Sequence, residues 1–215
     1  MYVPPAFREE RREALHDLIR QHSFGTLVSH LDGDLFATHL PFLLDAGRGA
    51  HGTLLGHLAR ANPHWHAFSG AQGVPAPDWL PQSLVTFQGP HAYVSPSWYE
   101  TEVAVPTWNY VAVHAYGRPR IVDDPSAVQR VLRQTVDTYE SGFERPWSMD
   151  GLPAAYVEKM AANVVAFEIE ITRLEGKRKL SQNRSRADRV GATAGLRHHG
   201  GPDGIAVAEL MEEAP

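Results

Sequence analysis

Apolar residues recur at spacings of three and four over residues 9–22. Ala14, Leu15, Leu18 and Ile19 form one stripe, with Arg11, Arg12, Asp17 and Arg20 off it, which predicts an amphipathic helix. The period then shortens. Phe24 to Leu31 reads as a strand that Asp32-Gly33 turns into a second, Leu35 to Leu44, and Thr53 to Leu58 reads as a third. Asn62-Pro63 has the form of a helix start, with Asn as N-cap and Pro at the first helical position. A Pro- and Gly-rich loop is expected over about 70–82. Strands follow at Leu84 to Gln88 and His91 to Ser95 around Gly89-Pro90, and a further pair at Tyr110 to Tyr116 and Arg118 to Val122 around Gly117. Asp124-Pro125 opens a helix whose Val128, Val131, Leu132, Thr135, Val136 and Tyr139 share a face, and Pro153 opens a short one to about Asn163. Val165, Phe167, Ile169 and Ile171 alternate with Glu168, Glu170 and Thr172. That pattern predicts a half-buried strand, with the two glutamates in solvent. From Asn183 onward the chain reads as helix or coil, broken at His198 to Pro202, with a weak helix from Ile205 to Glu212.

About seven strands joined mostly by turns, without βαβ alternation, predict a mainly β, α+β fold: an antiparallel sheet closed into a barrel, with peripheral helices. Neither an internal repeat nor a linker interrupts it, so one domain over 1–215 is expected. Within it lie an N-terminal helix (1–22), a barrel core (24–122), a helical insertion (124–163), a returning strand (164–175) and a basic C-terminal segment (176–215).

Composition narrows the chemistry. Hydrophobic residues make up 43% and charged residues 21% of the 215, as in globular proteins. No apolar run approaches the roughly 20 residues that span a bilayer. The N-terminus lacks the basic and apolar regions of a secretory signal. There is no cysteine, which excludes disulfides, thiolate catalysis, Cys-ligated zinc and iron–sulfur clusters. A cytoplasmic location fits this composition. The net charge is -5, yet residues 173–197 carry eight basic residues against two acids, so the remainder carries about -11. That segment reads either as a solvated basic face or as an anion or nucleic-acid patch.

Four stretches could carry chemistry. In Thr38-His39-Leu40-Pro41, proline marks a strand edge or bulge, and His39 either faces the opening or is a satisfied strand histidine. His57-Leu58-Ala59-Arg60-Ala61-Asn62 runs into a helix start, where free N–H groups and the Arg60 fork suit a phosphate; the alternative is an ordinary cap with a surface arginine. Thr107-Trp108-Asn109-Tyr110, preceded by the aromatic stretch Gly89 to Tyr99, offers stacking faces and amide groups for a planar heterocycle, or simply turn packing. Lys177 to Arg184, with Lys179 and Gln182, is either a polar lid or a solvated turn, and Ser185 with Asp188 matches a capping box. Phosphate-loop, dinucleotide, nucleophile-elbow and zinc-protease motifs are missing.

These stretches, in order and together with Tyr2-Val3-Pro4-Pro5, Gly56-His57, Val113-His114 and Leu174 to Lys177, resemble the PaiB family of FMN-binding negative transcriptional regulators. The chain departs from the family pattern at the acidic Glu100 to Ala104, where a lysine-bearing segment is expected, and past Leu196 nothing matches. The resemblance implies an FMN-binding split β-barrel and a homodimer with FMN at the subunit interface. It implies cofactor contacts from Thr38, His39, Leu40, Pro41, His57, Leu58, Arg60, Ala61, Asn62, Thr107, Trp108, Asn109, Tyr110, Lys179 and Gln182, with no metal site. It leaves three functions open: repression of gene expression, with direct DNA contact resting on 173–197 alone; a flavin-dependent oxidoreductase, either a flavin reductase or one like the pyridoxamine-phosphate oxidases; or a haem binder using His39, His57 or His114.

Overall fold

The computed structural model describes residues 1–68 and 83–214; the Pro- and Gly-rich loop expected over 70–82 lies outside them. The strands are β1 (Arg8–Glu9), β2 (Phe24–Leu31), β3 (Asp34–Pro41), β4 (Leu43–Asp45), β5 (Thr53–Ala59), β6 (Ser83–Val94), β7 (Thr107–Gly117), β8 (Pro119–Val122), β9 (Val164–Glu170) and β10 (Arg173–Lys179). The helices are α1 (Arg12–Gln21), α2 (Pro125–Glu140), α3 (Ala154–Ala161), α4 (Arg186–His199) and α5 (Gly201–Glu213). Two compact units are built from discontinuous pieces of this order, and the long strands β6 and β7 contribute to both.

The first unit comprises Met1–His22, Phe87–His114 and Glu175–Pro215. Its strands follow the order β1-β10-β7-β6. The α1 stripe buries Leu15, Leu18 and Ile19, and β7 buries Val111 and Val113. From the C-terminal helices Ala192, Leu196, Val207, Ala208 and Met211 are buried. Two glycines one turn apart set the α4 packing. A Cβ at Gly191 would lie 2.0 Å from the Trp98 carbonyl oxygen, and one at Gly195 would lie 2.2 Å from the Trp98 ring. Only glycine lets α4 approach that closely.

The second unit comprises Ser23–Thr86 and Ala115–Leu174. It holds β6-β2-β3 and a four-stranded sheet in the order β4-β5-β9-β8. The β2–β3 hairpin turns at Asp32 and Gly33, both at positive φ (52° and 91°), as the Asp-Gly signal requires. Asp124 caps α2 by accepting from the Ala127 amide at 2.9 Å. The core centres on Phe167, fully buried, with the Phe68 ring centroid at 4.8 Å and the Phe42 centroid at 6.2 Å.

Several expectations are corrected. Gly89-Pro90 does not divide β6, which runs unbroken from Ser83 to Val94. A side chain at Gly89 would meet Val111 Cγ2 at 2.5 Å, so this glycine allows close packing rather than a turn. Thr107 to Tyr110 begins β7 instead of forming a turn. β8 pairs with β9 rather than folding back on β7, and Lys177–Lys179 ends a strand, β10, that its charges concealed. Leu35 to Leu44 is two strands, interrupted at Phe42, whose amide bonds to the Ser23 carbonyl. Glu168 is not a free solvent group. Burial would raise its pKa, but the Arg48 and Arg120 guanidiniums, each 2.6 Å away, hold it below its ordinary value.

Candidate functional site: a cationic aromatic face and a buried histidine

In the second unit, strand alternation on β3 divides the Thr38–Pro41 stretch. Thr38 and Leu40 point inward, and His39 is exposed. The expected α-helix after Asn62 is a single 3₁₀ turn, Pro63–Ala67, whose His64 amide is taken by the Asn62 side chain at 3.0 Å. Asn62 Nδ2 also donates to Thr38 Oγ1 at 3.1 Å, and His64 Nδ1 lies 2.8 Å from the same hydroxyl. These bonds fit Thr38 accepting from Asn62 and donating to Nδ1. The proton then sits on Nε2, which is buried with no hydrogen-bond partner among the described residues. The ring is enclosed by Phe36 and Phe68. Burial pushes the His64 pKa down from 6.5 to about 4. His57, on β5 beside the buried Leu58, is likewise lowered by burial, and its buried Nδ1 has no hydrogen-bond partner among the described residues.

His64 sets a pH dependence. The unfolded chain takes up a proton near pH 6.5 and the folded chain only near pH 4. Stability is therefore level above about 6.5 and falls as pH drops through that window, by roughly 3 kcal/mol at pH 4. Urea unfolding at pH 7 and pH 4.5 should show the loss, and His64→Gln should reduce its slope. An unchanged slope in that variant would assign the pH dependence to other groups.

Arg60 is exposed, and its guanidinium already has partners. Nε donates to the Ala162 carbonyl at 2.9 Å and Nη2 to the Val164 carbonyl at 3.0 Å, fastening the start of β9. Its own carbonyl accepts from Trp65 Nε1 at 2.9 Å. Arg60→Ala separates two roles. A phosphate role lowers FMN affinity and spares riboflavin, whereas the fastening role lowers the melting temperature and affects both ligands alike. Parallel melting curves and flavin titrations decide between them.

In the first unit, alternation along β7 places Trp108 and Tyr110 on the open face and Asn109 inward. Asn109 is fully buried and donates to Ser181 Oγ at 2.9 Å and to Met211 Sδ at 3.3 Å, so it braces the core rather than rimming a ligand. Trp108 is 52% exposed, with the rings of His91 and Tyr93 at centroid distances of 5.8 Å and 6.3 Å. Beside it, Lys179 Nζ donates to Thr107 Oγ1 and, at 2.5 Å, to the Trp108 carbonyl. Lys177 Nζ donates to the Tyr2 carbonyl at 3.2 Å and lies 5.1 Å from the Tyr110 centroid. Arg184 lies over the Tyr99 ring. Burial lowers the Lys179 pKa, and repulsion from Lys177 and Arg184 lowers it further. Among the described residues no carboxylate pairs with it. Gln182 has an internal role: it accepts from the Leu180 amide at 2.8 Å and donates to the Arg178 carbonyl at 2.6 Å, closing the turn after β10.

Sequence reasoning missed Asp188. Its carboxylate accepts from the amides of Glu100 and Thr101 and from the Thr101 hydroxyl, tying the acidic 100–101 stretch to α4. The capping-box reading anticipated only the Ser185 side-chain bond to the Asp188 amide.

An aromatic face beside cations that pair with no carboxylate among the described residues can take a flat ring with an anionic tail. Residues 1–173 match the family described as "Putative FMN-binding domain". The chain is also 35% identical, over 99% of its length and 97% of the relative's, to protease synthase and sporulation protein PAI 2 of Bacillus subtilis. The chain belongs to this FMN-binding family. FMN is its cofactor, and the likeness to PAI 2 extends past Leu196 into the tail that the sequence motifs left unmatched. Solved structures show the same fold at lower identity. The flavocytochrome Anf3 of Azotobacter vinelandii is 16% identical with a TM-score of 0.58, covering 80% of this chain and 69% of its own. A FAD and heme binding protein of Mycobacterium smegmatis is 17% identical with a TM-score of 0.57, covering 86% of this chain and 79% of its own. The fold is the flavin-binding split barrel, α+β with mostly antiparallel sheets. No helix of the described residues is long and apolar enough to cross a membrane.

The residues present fit FMN. Trp108 and Tyr93 offer stacking surface, and Lys177 and Lys179 offer charge that no carboxylate pairs with among the described residues. The chemistry FMN supplies when bound is one- or two-electron transfer at its ring system. The chain's own part is to hold and orient it.

Proposed function

We propose that the protein is a homodimeric FMN-binding regulator of the PaiB type that acts in repression of gene expression, with FMN docked on the Trp108–Lys179 face and closed over by the second subunit. The observation that carries the docking is Lys179: a partly desolvated ammonium, repelled by two cations and paired with no carboxylate among the described residues, is stabilised by an anionic ligand. The likeness to PAI 2, a protein named for protease synthase and sporulation, supports the regulatory reading. The closing subunit is suggested by apolar surface that a monomer leaves uncovered on this face, Trp108 at 52% and Tyr93 at 46% exposure.

A flavin-dependent oxidoreductase is the second reading. It is favoured by the same exposure of Trp108, which leaves a docked ring within reach of a reductant. One experiment addresses both. The FMN-loaded protein is run in sedimentation equilibrium, assayed for oxidation of reduced nicotinamide, and tested for repression of a reporter placed behind candidate promoters. A dimer that represses and turns over no nicotinamide supports the proposal. Rapid nicotinamide oxidation without repression replaces it with the enzyme reading, and a fully loaded monomer removes the closing subunit.

A further inference from the structure

None of residues 1–8 is buried, yet the segment is held in place. Pro4 and Pro5 restrict its backbone, with Pro4 extended at φ -57° and ψ 146°. A single 3₁₀ turn follows over Pro5–Phe7, closed by the Phe7 amide on the Pro4 carbonyl at 3.0 Å. Arg8 then pairs with Lys177 of β10, and Glu9 with Gly176. At the other end of the segment, the Tyr2 carbonyl accepts from Lys177 Nζ at 3.2 Å. The segment is thus a strap pinned at Lys177 twice, once through the lysine side chain and once through strand pairing. It also reaches the next lysine of the face, with the Phe7 ring 5.9 Å from Lys179 Nζ.

The Tyr2 side chain takes no part in this anchoring. It is 83% exposed, so burial in the core of the first unit does not account for it. Its ring lies 5.6 Å from Lys177 Nζ, and the Tyr110 ring lies 5.1 Å from the same atom. Lys177 itself is buried, and both rings are within reach of cation–π attraction to its ammonium. That attraction holds Tyr2 beside the face that Trp108 and Tyr110 present from β7. A lone exposed tyrosine would need no explanation. This one joins Trp108 and Tyr93, both exposed, next to the two lysines.

A tyrosine on a pinned backbone has only two side-chain torsions left to fix, so it stacks on a flat ligand at low entropic cost. We infer that Tyr2 is a wall of the FMN site and meets the flavin ring system from the strap. This rests on FMN docking at the Trp108–Lys179 face. The contact is to the ring system and not to the phosphate, so riboflavin should feel it as much as FMN does.

Fluorescence titration of the full chain with FMN and with riboflavin tests it, comparing wild type, Tyr2→Ala and Tyr2→Phe. Tyr2→Ala removes the ring and keeps the backbone carbonyl that Lys177 uses, so the strap stays pinned. It should weaken both ligands about fivefold or more, the lower end of what an aromatic stacking partner contributes to a flat ring, and relieve part of the flavin quenching. Tyr2→Phe should bind both as wild type does, and matching melting curves control for folding. Unchanged affinity for both ligands in Tyr2→Ala overturns the inference. A loss for FMN with riboflavin spared would mean that Tyr2 acts on the phosphate through Lys177, and overturns the ring contact as well. An equal loss in Tyr2→Phe assigns the effect to the hydroxyl and overturns stacking. Trp108→Leu, measured alongside, tells the two failures apart. If it too binds flavin normally, the docking face is wrong; if it weakens flavin while Tyr2→Ala does not, only the role of the strap falls.

Discussion

Phe167→Ala is expected to destabilise the protein by about 3–5 kcal/mol, the range for a fully buried phenylalanine. Phe167 is fully buried in β9, between the rings of Phe42 and Phe68. A Cβ at Gly56, on the paired strand β5, would approach its ring to 3.0 Å, so the ring fills space that a glycine leaves open. Truncation leaves a cavity that two β-strands are poorly placed to close. Phe167→Leu keeps most of the volume and should cost less than half as much. Urea unfolding of the three proteins at pH 7 checks this. A loss under 1 kcal/mol for the alanine variant would mean that the aromatic cluster repacks.

Lys179→Ala is expected to weaken FMN by about 1.5–3 kcal/mol, roughly 10- to 150-fold, the range for a hydrogen bond to a charged group. The lysine also ties Thr107 to the Trp108 carbonyl, so a purely structural role has to be separated from a ligand role. Lys179→Arg makes the separation. It keeps the charge, so it should recover most of the affinity if charge is what FMN uses. Fluorescence titration with FMN reads the effect, and the melting temperature of each variant reads the structural part. Unchanged FMN affinity in Lys179→Ala would confine the lysine to bracing β7.

Much of the architecture was legible because local chemistry and tertiary structure agree. Asp32-Gly33 forms its turn, Asp124 caps its helix, and the alternation at Val165, Phe167 and Ile169 marks a buried strand face. Legibility fails where tertiary contact overrides a local rule. Gly89-Pro90 reads as a break, yet the strand continues because a close neighbour, Val111, needs a residue without a side chain. Arg173 to Lys179 has five charges in seven residues and reads as solvated, yet it is a strand paired to β1. The glycines at 191 and 195 are four apart on one helix face, a signal that was available, but only the structure shows that Trp98 fills the space they leave.

The placement of the candidate site residues was legible in part for the same reason. Trp108 and Lys179, chosen from aromatic and basic runs, lie side by side. Asn109 was chosen from the same run, and the period of two turns it into the core. Arg60 and Asn62 stand where the sequence places them, but their side chains are tied to the Ala162 and Val164 carbonyls and to Thr38, long-range partners that no local pattern announces.

The docking proposed for FMN is on the open face carrying Trp108, Tyr93 and Lys179. Flavin fluorescence during titration of the purified chain tests it most directly, with wild type and Trp108→Leu measured side by side. Saturable binding with strong quenching in the wild type, and weaker binding with much of the fluorescence restored in the variant, is the predicted result. Saturable binding with the same affinity and the same quenching in both proteins would place the flavin elsewhere.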